Sequence, residues 1–481
     1  MNKRRIIFIL GHILLLEAVL MIPSLLASLI YGDGDANALL VTMIPAGIIG
    51  FLFTRIRQTQ NRMTSRDGYF IVALTWVIIS LVGAAPMYIG GNGIFRSYLG
   101  AFFEIVSGFT TTGASVLAAP EELGHGLLFW RSFTHWIGGM GVLVFVLMII
   151  PMENDTSMHL VRAEVPGPTA GKLVPRMRKT SFILYGIYSA MTAVEVLILR
   201  GLGLCWFDSL CVSFGTAGTG GFAVTEAGIG GYNNPTVEIV ISIFMLLFGV
   251  NFNVYYLLLL RKWKDALKNE EVQVYFGIVA VATVTIALNI IRTIGNVGGA
   301  FRYALFQVSS IITTTGFATA DYEIWPENTK HLLVLLMVIG ACAGSTGGGL
   351  KISRVIILVK SFIAEIHQII NPKQVVCIRL NGSAVDKRTL NSTRIYAAAY
   401  MILICVFTLI VSFDGYDLTT NFTAVLSCLN NIGPGLNLVG PTQNFSIYSD
   451  FMQFVLSLAM LTGRLEIFPM FLILSRSAHD R

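Results

Sequence analysis

Apolar stretches fill most of this chain, and short polar segments separate them. Residues 6–31 and 38–53 form the first two stretches. Eight more begin near Tyr69, Leu127, Phe182, Val237, Val274, Leu332, Ile395 and Phe451. Each can cross a hydrocarbon core of about 30 Å, and the first exceeds the apolar region of about 7 to 15 residues in a signal peptide. The pattern predicts ten transmembrane segments, the first two forming an uncleaved pair.

The composition agrees with a membrane protein. Hydrophobic residues make up 54% of the 481 positions, charged residues make up 12%, and the mean hydropathy is +0.72. A soluble domain carries about 25% charged residues. Soluble enzymes and nucleic-acid-binding proteins are therefore excluded. Because neither a nucleophile–base set nor a metal cluster can be assembled from the sequence, we do not expect an enzyme.

The charges indicate an orientation. Most of the 33 Lys and Arg residues follow the even-numbered segments or lie at the two ends of the chain. By the positive-inside rule, both termini are predicted to be cytoplasmic. The opposite side is acidic, with Asp33, Asp35, Glu121, Glu122, Glu226, Asp321, Glu323, Glu327, Asp414, Asp417 and Asp450. A negative vestibule would concentrate cations, but the topology rule alone predicts the same bias, and both interpretations stay open.

A repeated unit organises the chain after the first pair. Four segments too short to cross the membrane each lead into a turn rich in Gly, Thr or Asn. They read FEIVSGFTTTGASV (103–116), LCVSFGTAGTGGFAV (210–224), FQVSSIITTTGFAT (306–319) and AVLSCLNNIGPGLN (424–437). Alignment on Gly113, Gly220, Gly316 and Gly433 gives a period of about 100 residues, which is typical of an internal repeat.

This unit favours ion conduction. Irregular backbone at membrane depth is tolerated only where protein buries it or where it lines a water-filled cavity, so four such turns should meet around one axis. Facing carbonyls can then replace the hydration shell of a cation. The C-terminal dipole end of each short helix would add negative potential. A non-channel transporter with four glycine-rich packing turns is the alternative.

The four turns, the TTTG of the first and third repeats, and the later GSTGGGLK resemble the TrkH/TrkG/KtrB superfamily of potassium transporters. The extra helix pair is similar to the TrkH branch. The resemblance implies an all-α integral membrane protein with four M1-P-M2 potassium-channel-like repeats around a pseudo-fourfold pore, after two extra transmembrane helices. It also implies K⁺ uptake at a bacterial inner membrane, a homodimer, and a cytosolic TrkA-like nucleotide-binding regulatory ring.

The resemblance places the filter at residues 110–113, 217–220, 313–316 and 430–433. The expected K⁺-binding residues are Thr110, Thr111, Thr112, Gly113, Gly218, Thr219, Gly220, Thr314, Thr315, Gly316, Asn431, Ile432 and Gly433. The fourth repeat departs from the pattern, since Asn430, Asn431 and Ile432 stand where the first and third repeats have threonines. That departure is tolerable if backbone carbonyls bind the ion, but not if threonine hydroxyls do.

Two features below the filter are predicted to form a gate. The eighth segment is interrupted by Gly344, Ser345, Thr346, Gly347, Gly348 and Gly349. Glycine costs about 1 kcal/mol in a helix interior, so the helix should break there, as a pore loop or as a static packing kink. The run is spaced like a phosphate-binding loop, but Leu350 precedes Lys351 and no strand leads into it, so we expect no nucleotide bound by this chain.

Arg464 is the second feature, because an arginine within a span costs about 2.5 to 3.5 kcal/mol. We expect it to stand in the pore as an electrostatic barrier, with a buried pair to Glu466 or Glu195 as the alternative. Arg131, His135 and Trp136 are interpreted as interface anchors or helix packing.

The predicted organisation is an extra pair (1–66), repeat 1 (67–152), a cytoplasmic linker and repeat 2 (153–262), repeat 3 (263–360), and a cytoplasmic loop with repeat 4 (361–481). Energy could come from a channel's electrochemical gradient or from symport with Na⁺ or H⁺, and the sequence does not distinguish them.

Overall fold

The computed structural model describes residues 3–56, 65–141, 177–373 and 376–474. These ranges contain nineteen α-helices and one short pair of antiparallel strands. Most of the predicted cytoplasmic linker, at 153–176, lies outside the described residues. Apart from that strand pair, the regular structure of the described residues is helical, as the apolar pattern predicted.

The first helices form a hairpin beside the repeats. Helices α1 (Lys3–Leu20) and α2 (Ile22–Tyr31) run into α3 (Ala36–Thr54), which returns along α1. A Cβ added to Gly11 would lie 2.8 Å from the Gly50 carbonyl oxygen, and one on Gly50 would lie 2.9 Å from that of Gly11. Small residues let membrane helices approach this closely.

Four units of the same design follow the hairpin. Their long first helices are α4 (Ser65–Gly90), α7 (Met177–Gly201), α12 (Glu270–Ile294) and α16 (Lys387–Val411). Their short pore helices are α5 (Tyr98–Phe109), α8 (Trp206–Gly218), α13 (Val297–Ile312) and α17 (Leu418–Asn430). Their second helices begin with α6 (His125–Gly139), α9 (Pro235–Phe248), α14 (Glu327–Ile339) and α18 (Asp450–Arg464).

Side chains cap the pore helices at their first turns. Ser97, Cys205, Asn296 and Asp417 each accept a hydrogen bond from a backbone N–H two or three residues later. The pore helices have 12 to 16 residues, or about 18 to 24 Å at about 1.5 Å per residue. They are therefore too short to cross the membrane and end within it.

The second helices depart from the sequence prediction. Only the eighth segment was expected to break, yet α9 meets α10 (Phe252–Leu259) at 88°, and α18 gives way to α19 (Phe468–Leu474) after three residues. In the eighth segment, the predicted break separates α14 from α15 (Ile352–Ile370). Six helices among the described residues are long and apolar enough to cross a membrane, or seven if α9 and α10 count as one span. The interruptions of the sixth and tenth segments were not predicted from the sequence.

Two small elements remain on the side where the basic segments lie. They are α11 (Trp263–Leu267) and the strands β1 (Arg379–Leu380) and β2 (Ser383–Ala384). Glu270, at the start of α12, contacts Lys360 of α15 and accepts a hydrogen bond from the backbone N–H of Asn381 at 3.3 Å. The strand pair is thereby tied to the third repeat.

Candidate ion-conduction site

The four pore helices end in the same backbone conformation. A left-handed residue follows each helix, and a glycine with positive φ comes two residues later. The left-handed residues are Thr111, Thr219, Thr314 and Asn431, with φ of 56°, 56°, 59° and 56°. The glycines are Gly113, Gly221, Gly316 and Gly433, with φ of 81°, 74°, 83° and 109°. This agreement defines four equivalent strands, which we call the filter strands.

The second filter strand is displaced by one residue from its predicted register. In the second strand, the backbone N–H of Gly220 donates to the Gly215 carbonyl at 2.8 Å. In the first strand, the backbone N–H of Thr112 donates to the Ser107 carbonyl at the same distance of 2.8 Å. Gly221, and not Gly220, is therefore the counterpart of Gly113, and this quarter covers residues 218–221, including Gly218 and Thr219. The adjacent glycines allowed both alignments. The phenylalanine that follows both Gly221 and Gly316 was the signal that could have set the register.

The filter strands close into a ring. A Cβ on Gly113 would lie 2.1 Å from the Gly220 carbonyl oxygen. An added Cβ would lie 1.9 Å from the Thr315 oxygen on Gly221, 1.9 Å from the Ile432 oxygen on Gly316 and 3.0 Å from the Thr112 oxygen on Gly433. Each glycine thus touches the carbonyl of the next strand in the order one, two, three, four, one. Glycine is needed here both for its φ and for this approach.

The asparagines of the fourth strand preserve the backbone path. Asn431 adopts the left-handed conformation, which asparagine tolerates better than most residues. Its Nδ2 donates to Thr112 Oγ1 at 2.9 Å and to the Met460 carbonyl at 3.0 Å. The Asn430 amide meets the Tyr400 hydroxyl at 2.7 and 3.0 Å. Both side chains contact protein behind or beside the strand, so the departure changes the packing and leaves the carbonyl ring in place.

Threonine hydroxyls in the first and third strands also bond within the protein. Thr110 Oγ1 donates to the Val106 carbonyl at 2.6 Å, and Thr313 Oγ1 donates to that of Ser309 at 2.6 Å. Thr314 Oγ1 accepts a hydrogen bond from the backbone N–H of Gly348 at 2.6 Å. The geometry therefore favours backbone carbonyls as the ion-facing groups.

A cavity of about 710 Å³ lies beyond the filter glycines and forms a vestibule. Residues from all four filter strands line it, together with Arg131, Glu226 and Asp321. Other carboxylates predicted for this side have structural partners. Asp33 accepts hydrogen bonds from His125, Asp35 accepts one from the Leu127 N–H, and Glu121 accepts one from the Glu226 N–H.

Further carboxylates cap or join loops. Asp417 accepts hydrogen bonds from Thr420, and the hydroxyl of that residue lowers the pKa of Asp417. The backbone N–H of His125 likewise lowers the pKa of Asp33. Asp414 accepts from the Ser449 N–H at 2.7 Å. Much of the outer acidity thus holds the loops above the pore, and Glu226 and Asp321 face the vestibule.

Arg131 and His135, interpreted from the sequence as interface anchors or helix packing, are buried beside the filter strands. Arg131 is 2% exposed and pairs with Glu104 of the first pore helix at 2.6 Å. His135 is fully buried, where its Nδ1 bonds to the Gly108 carbonyl at 2.8 Å and its Nε2 accepts from the Phe222 N–H at 3.3 Å. Both residues lie between the first two filter strands. Glu104 and Arg131 are the charged members of two apolar helices, which was the available signal.

The interrupted helix lies against the other end of the filter. A Cβ on Gly347 would lie 2.7 Å from the Thr313 carbonyl oxygen, and one on Gly348 would lie 2.1 Å from that of Asn430. The loop of residues 344–349, which we call the gate loop, therefore contacts the third and fourth filter strands. Gly344 and Gly349 have φ of 71° and 78°, and these conformations explain why the helix cannot continue.

Neighbouring segments hold both ends of the gate loop. Glu271 Oε1 accepts hydrogen bonds from the N–H of Ala343 at 2.7 Å and from that of Ser353 at 3.1 Å. The Phe252 N–H donates to the Gly344 carbonyl at 2.9 Å, and the Lys351 ammonium donates to that of Gly347. Sequence reasoning missed Glu271, which is 72 and 82 positions from its two donors.

Arg464 joins the gate loop to the first repeat. Its Nη1 donates to the Thr346 carbonyl at 3.0 Å, and its Nη2 donates to the carbonyls of Gly138 and Gly139, the latter at 2.9 Å. Glu466, one of the two predicted alternative partners, forms an ion pair with Arg354 at 2.5 Å. Arg464 therefore contacts the gate loop, and the gate loop contacts the third and fourth filter strands.

Comparisons with known proteins agree with this geometry. The family model described as "TrkH: Cation transport protein" matches residues 36–479. The Trk system potassium uptake protein TrkH of Escherichia coli K12 is 35% identical over 98% of both chains. TrkG of the same organism is 31% identical over 97% of this chain and 96% of its own.

A solved structure is also similar. The crystal structure of the potassium transporter TrkH from Vibrio parahaemolyticus superimposes with a TM-score of 0.88 at 31% identity. The superposition covers 99% of this chain and 100% of the other. The predicted resemblance and the predicted fold class are confirmed.

Proposed function

This chain belongs to the TrkH family of cation transport proteins, and we propose that it carries K⁺ into a bacterial cell through a channel-like pore. It is a multi-pass membrane protein. The relatives named as potassium uptake proteins match nearly the whole chain. We place it in the bacterial inner membrane, as the resemblance implies. Both termini are placed in the cytoplasm, because the basic segments lie on the same side of the membrane as the termini.

The closed ring of filter strands is the observation that carries this proposal. Each filter glycine lies against a carbonyl oxygen of a neighbouring strand, and these oxygens belong to Thr112, Gly220, Thr315 and Ile432. Such a ring can replace the hydration shell of a monovalent cation. The pore helices Tyr98–Phe109, Trp206–Gly218, Val297–Ile312 and Leu418–Asn430 end at the ring. Their C-terminal dipoles lower the energy of a cation there.

The K⁺-binding residues in this proposal are those of the four filter strands. Residues 344–349 and Arg464 form the gate, because the gate loop lies against the third and fourth strands and Arg464 bonds to its Thr346 carbonyl at 3.0 Å. A cation leaving the ring would meet this loop and a guanidinium. The gate therefore has to move, or Arg464 has to turn aside, before K⁺ can pass.

A cytosolic TrkA-like ring that binds nucleotides is the proposed source of that movement, acting on a homodimer of this chain. Helix α15 begins at the gate loop and continues towards the strand pair at residues 379–384, which Glu270 and Lys360 tie to it. A partner that displaces α15 would pull directly on the loop. The repeats in this proposal keep the boundaries 67–152, 153–262, 263–360 and 361–481.

Flux and reversal potentials test the function. Expression in cells that lack K⁺ uptake should restore growth at low external K⁺. In proteoliposomes or planar bilayers, the reversal potential should follow the K⁺ gradient with a Nernstian slope. A reversal potential that shifts with Na⁺ or pH at a fixed K⁺ gradient would instead support symport. The absence of K⁺ flux from inserted protein, with and without the partner, would refute the proposal.

A further inference from the structure

A buried ion pair lies at the junction of the first and second filter strands. Glu104 of the first pore helix is fully buried, Arg131 of α6 is 2% exposed, and Nε and Oε1 are 2.6 Å apart. Removing two charges from water costs several kcal/mol unless their hydrogen bonds are complete. Arg131 also lines the vestibule, so this pair stands within reach of the ion path.

The two partners hold different strands. Glu104 accepts hydrogen bonds from the Ser115 hydroxyl and from the Val116 N–H, both at 2.9 Å. Arg131 donates from Nη1 to the Ala223 carbonyl at 3.0 Å and from Nη2 to Ser115 Oγ at 3.2 Å. Its Cζ lies 3.5 Å from the ring centroid of Phe222. The carboxylate therefore fixes the first strand, and the guanidinium bridges from it to the second.

These contacts fall at equivalent places. Ser115 and Ala223 each lie two residues beyond the filter glycine of their strand, namely Gly113 and Gly221. The corresponding carbonyl of the fourth strand, at Gly435, accepts a hydrogen bond from the neutral Tyr322 hydroxyl at 2.9 Å. That of the first strand, at Ser115, accepts one from the Phe445 N–H at 2.8 Å. A charged group therefore holds the second strand where neutral groups hold these two.

We propose that Arg131, oriented by Glu104, is a positioning residue that sets the spacing of the first and second filter strands and thereby the preference for K⁺ over Na⁺. This inference rests on the proposed K⁺ function. The carbonyls of these strands can match K⁺ only while the strands keep their separation. The planar guanidinium can reach Glu104, Ala223 and Ser115 together. A lysine ammonium supplies charge without that fork.

The Glu104–Arg131 pair also carries no net charge. Arg131 alone would place a positive charge beside the vestibule and repel incoming cations. Glu104 cancels it at 2.6 Å. The positioning role and the charge-balancing role of the pair therefore predict different results for different substitutions. If the pair served only to stabilise the fold, every substitution would lower the protein level and the K⁺ flux together.

The test measures reversal potentials and K⁺ flux of the full-length protein in bilayers, beginning with the unsubstituted chain. If that chain passes no K⁺, the proposed function fails, whatever the variants do. If it passes K⁺, we expect Arg131→Lys to keep its flux and lower the K⁺/Na⁺ permeability ratio about tenfold, the change expected for loss of one charge-assisted hydrogen bond. An unchanged ratio in inserted Arg131→Lys would overturn the inference.

Two further variants separate charge from spacing. Glu104→Gln should lower inward K⁺ flux because the guanidinium loses its counter-charge. The double variant Glu104→Gln/Arg131→Met should recover K⁺ flux. Its K⁺/Na⁺ permeability ratio should stay as low as that of Arg131→Lys. Equal losses of flux in the single and double variants would contradict the charge argument. The matched control is Arg302→Lys, since Arg302 pairs with Glu238 at 3.0 Å between other helices and does not line the vestibule. Its ratio should be unchanged.

If the Arg131 variants fail to insert, Ser115→Ala decides the question. It removes one hydroxyl that contacts both charged partners. We expect the permeability ratio to fall about tenfold, because the lost hydrogen bonds are to charged groups. An unchanged ratio in that variant would overturn the inference.

Discussion

Alanine substitutions of the filter glycines should damage conduction to different degrees. All four residues have positive φ, which costs a residue with a Cβ about 1 to 2 kcal/mol. The difference between them is steric. A Cβ on Gly316 would lie 1.9 Å from the Ile432 oxygen, whereas one on Gly433 would lie 3.0 Å from the Thr112 oxygen. Ordinary contact begins at 3.4 Å.

The required movements follow from these distances. Gly316→Ala has to push the third and fourth strands apart by about 1.5 Å, and Gly433→Ala needs only about 0.4 Å between the fourth and first. A misplacement of about 1 Å at a preorganised site can cost about a hundredfold in rate. We therefore expect Gly316→Ala to lose at least about a hundredfold in K⁺ flux and Gly433→Ala to lose less than about tenfold.

The assay is K⁺ flux into proteoliposomes that contain equal amounts of inserted protein. Gly277→Ala is the matched control, because Gly277 lies in α12 with no atom within 4 Å of an added Cβ. Its flux should equal that of the unsubstituted chain. If Gly316→Ala inserts normally and conducts as well as Gly433→Ala, the ring geometry deduced from the glycine contacts is wrong.

Three predictions concern the gate. Arg464→Gln should raise K⁺ flux severalfold, because the hydrogen bonds from the guanidinium to the carbonyls of Thr346, Gly138 and Gly139 are lost. Lower flux at an equal protein level would indicate a structural role instead. Gly348→Ala should raise the single-channel open probability without changing ion preference. Its Cβ would lie 2.1 Å from the Asn430 carbonyl oxygen, so the loop has to move away from the filter. An unchanged open probability would count against the loop as the gate. Glu271→Leu should increase flux measured without any partner by about tenfold, because two backbone N–H groups lose a charged acceptor; unchanged basal flux would show that Glu271 does not restrain the loop.

The helical repeats could be predicted from the sequence because their signals are local. Apolar length identifies the spans, and the recurrence of TTTG marks two of the turns. The gate break was also local, since four glycines occur within six residues, 344–349. The three-residue interruption between α18 and α19 carries no such composition, although Glu466 and Ile467 have φ of 55° and 69°. That strained turn depends on packing that only the assembled repeats provide.

Contacts between distant residues account for what the sequence did not predict. Glu104 and Arg131 are 27 positions apart on different helices, and no periodicity connects them. His135 fits between two filter strands only because Gly220 leaves it room, since a Cβ there would lie 2.2 Å from the imidazole. The register of the second strand was ambiguous for a different reason. Two adjacent glycines fit the motif equally well, and the phenylalanine after Gly221, which matches the one after Gly316, is the feature that distinguishes them.

A single chain with four unequal repeats can have one gate below a nearly symmetric ring. The gate loop comes from the third repeat, donates from the Gly348 N–H to Thr314, and lies against Asn430 of the fourth. Arg464 comes from the fourth repeat and ties the loop to Gly139 of the first. A motion of α15 would therefore act on contacts from three repeats through one short segment. In the proposed mechanism, the backbone ring can stay symmetric for the ion, because the asymmetry that gating needs would lie in the loop and in Arg464.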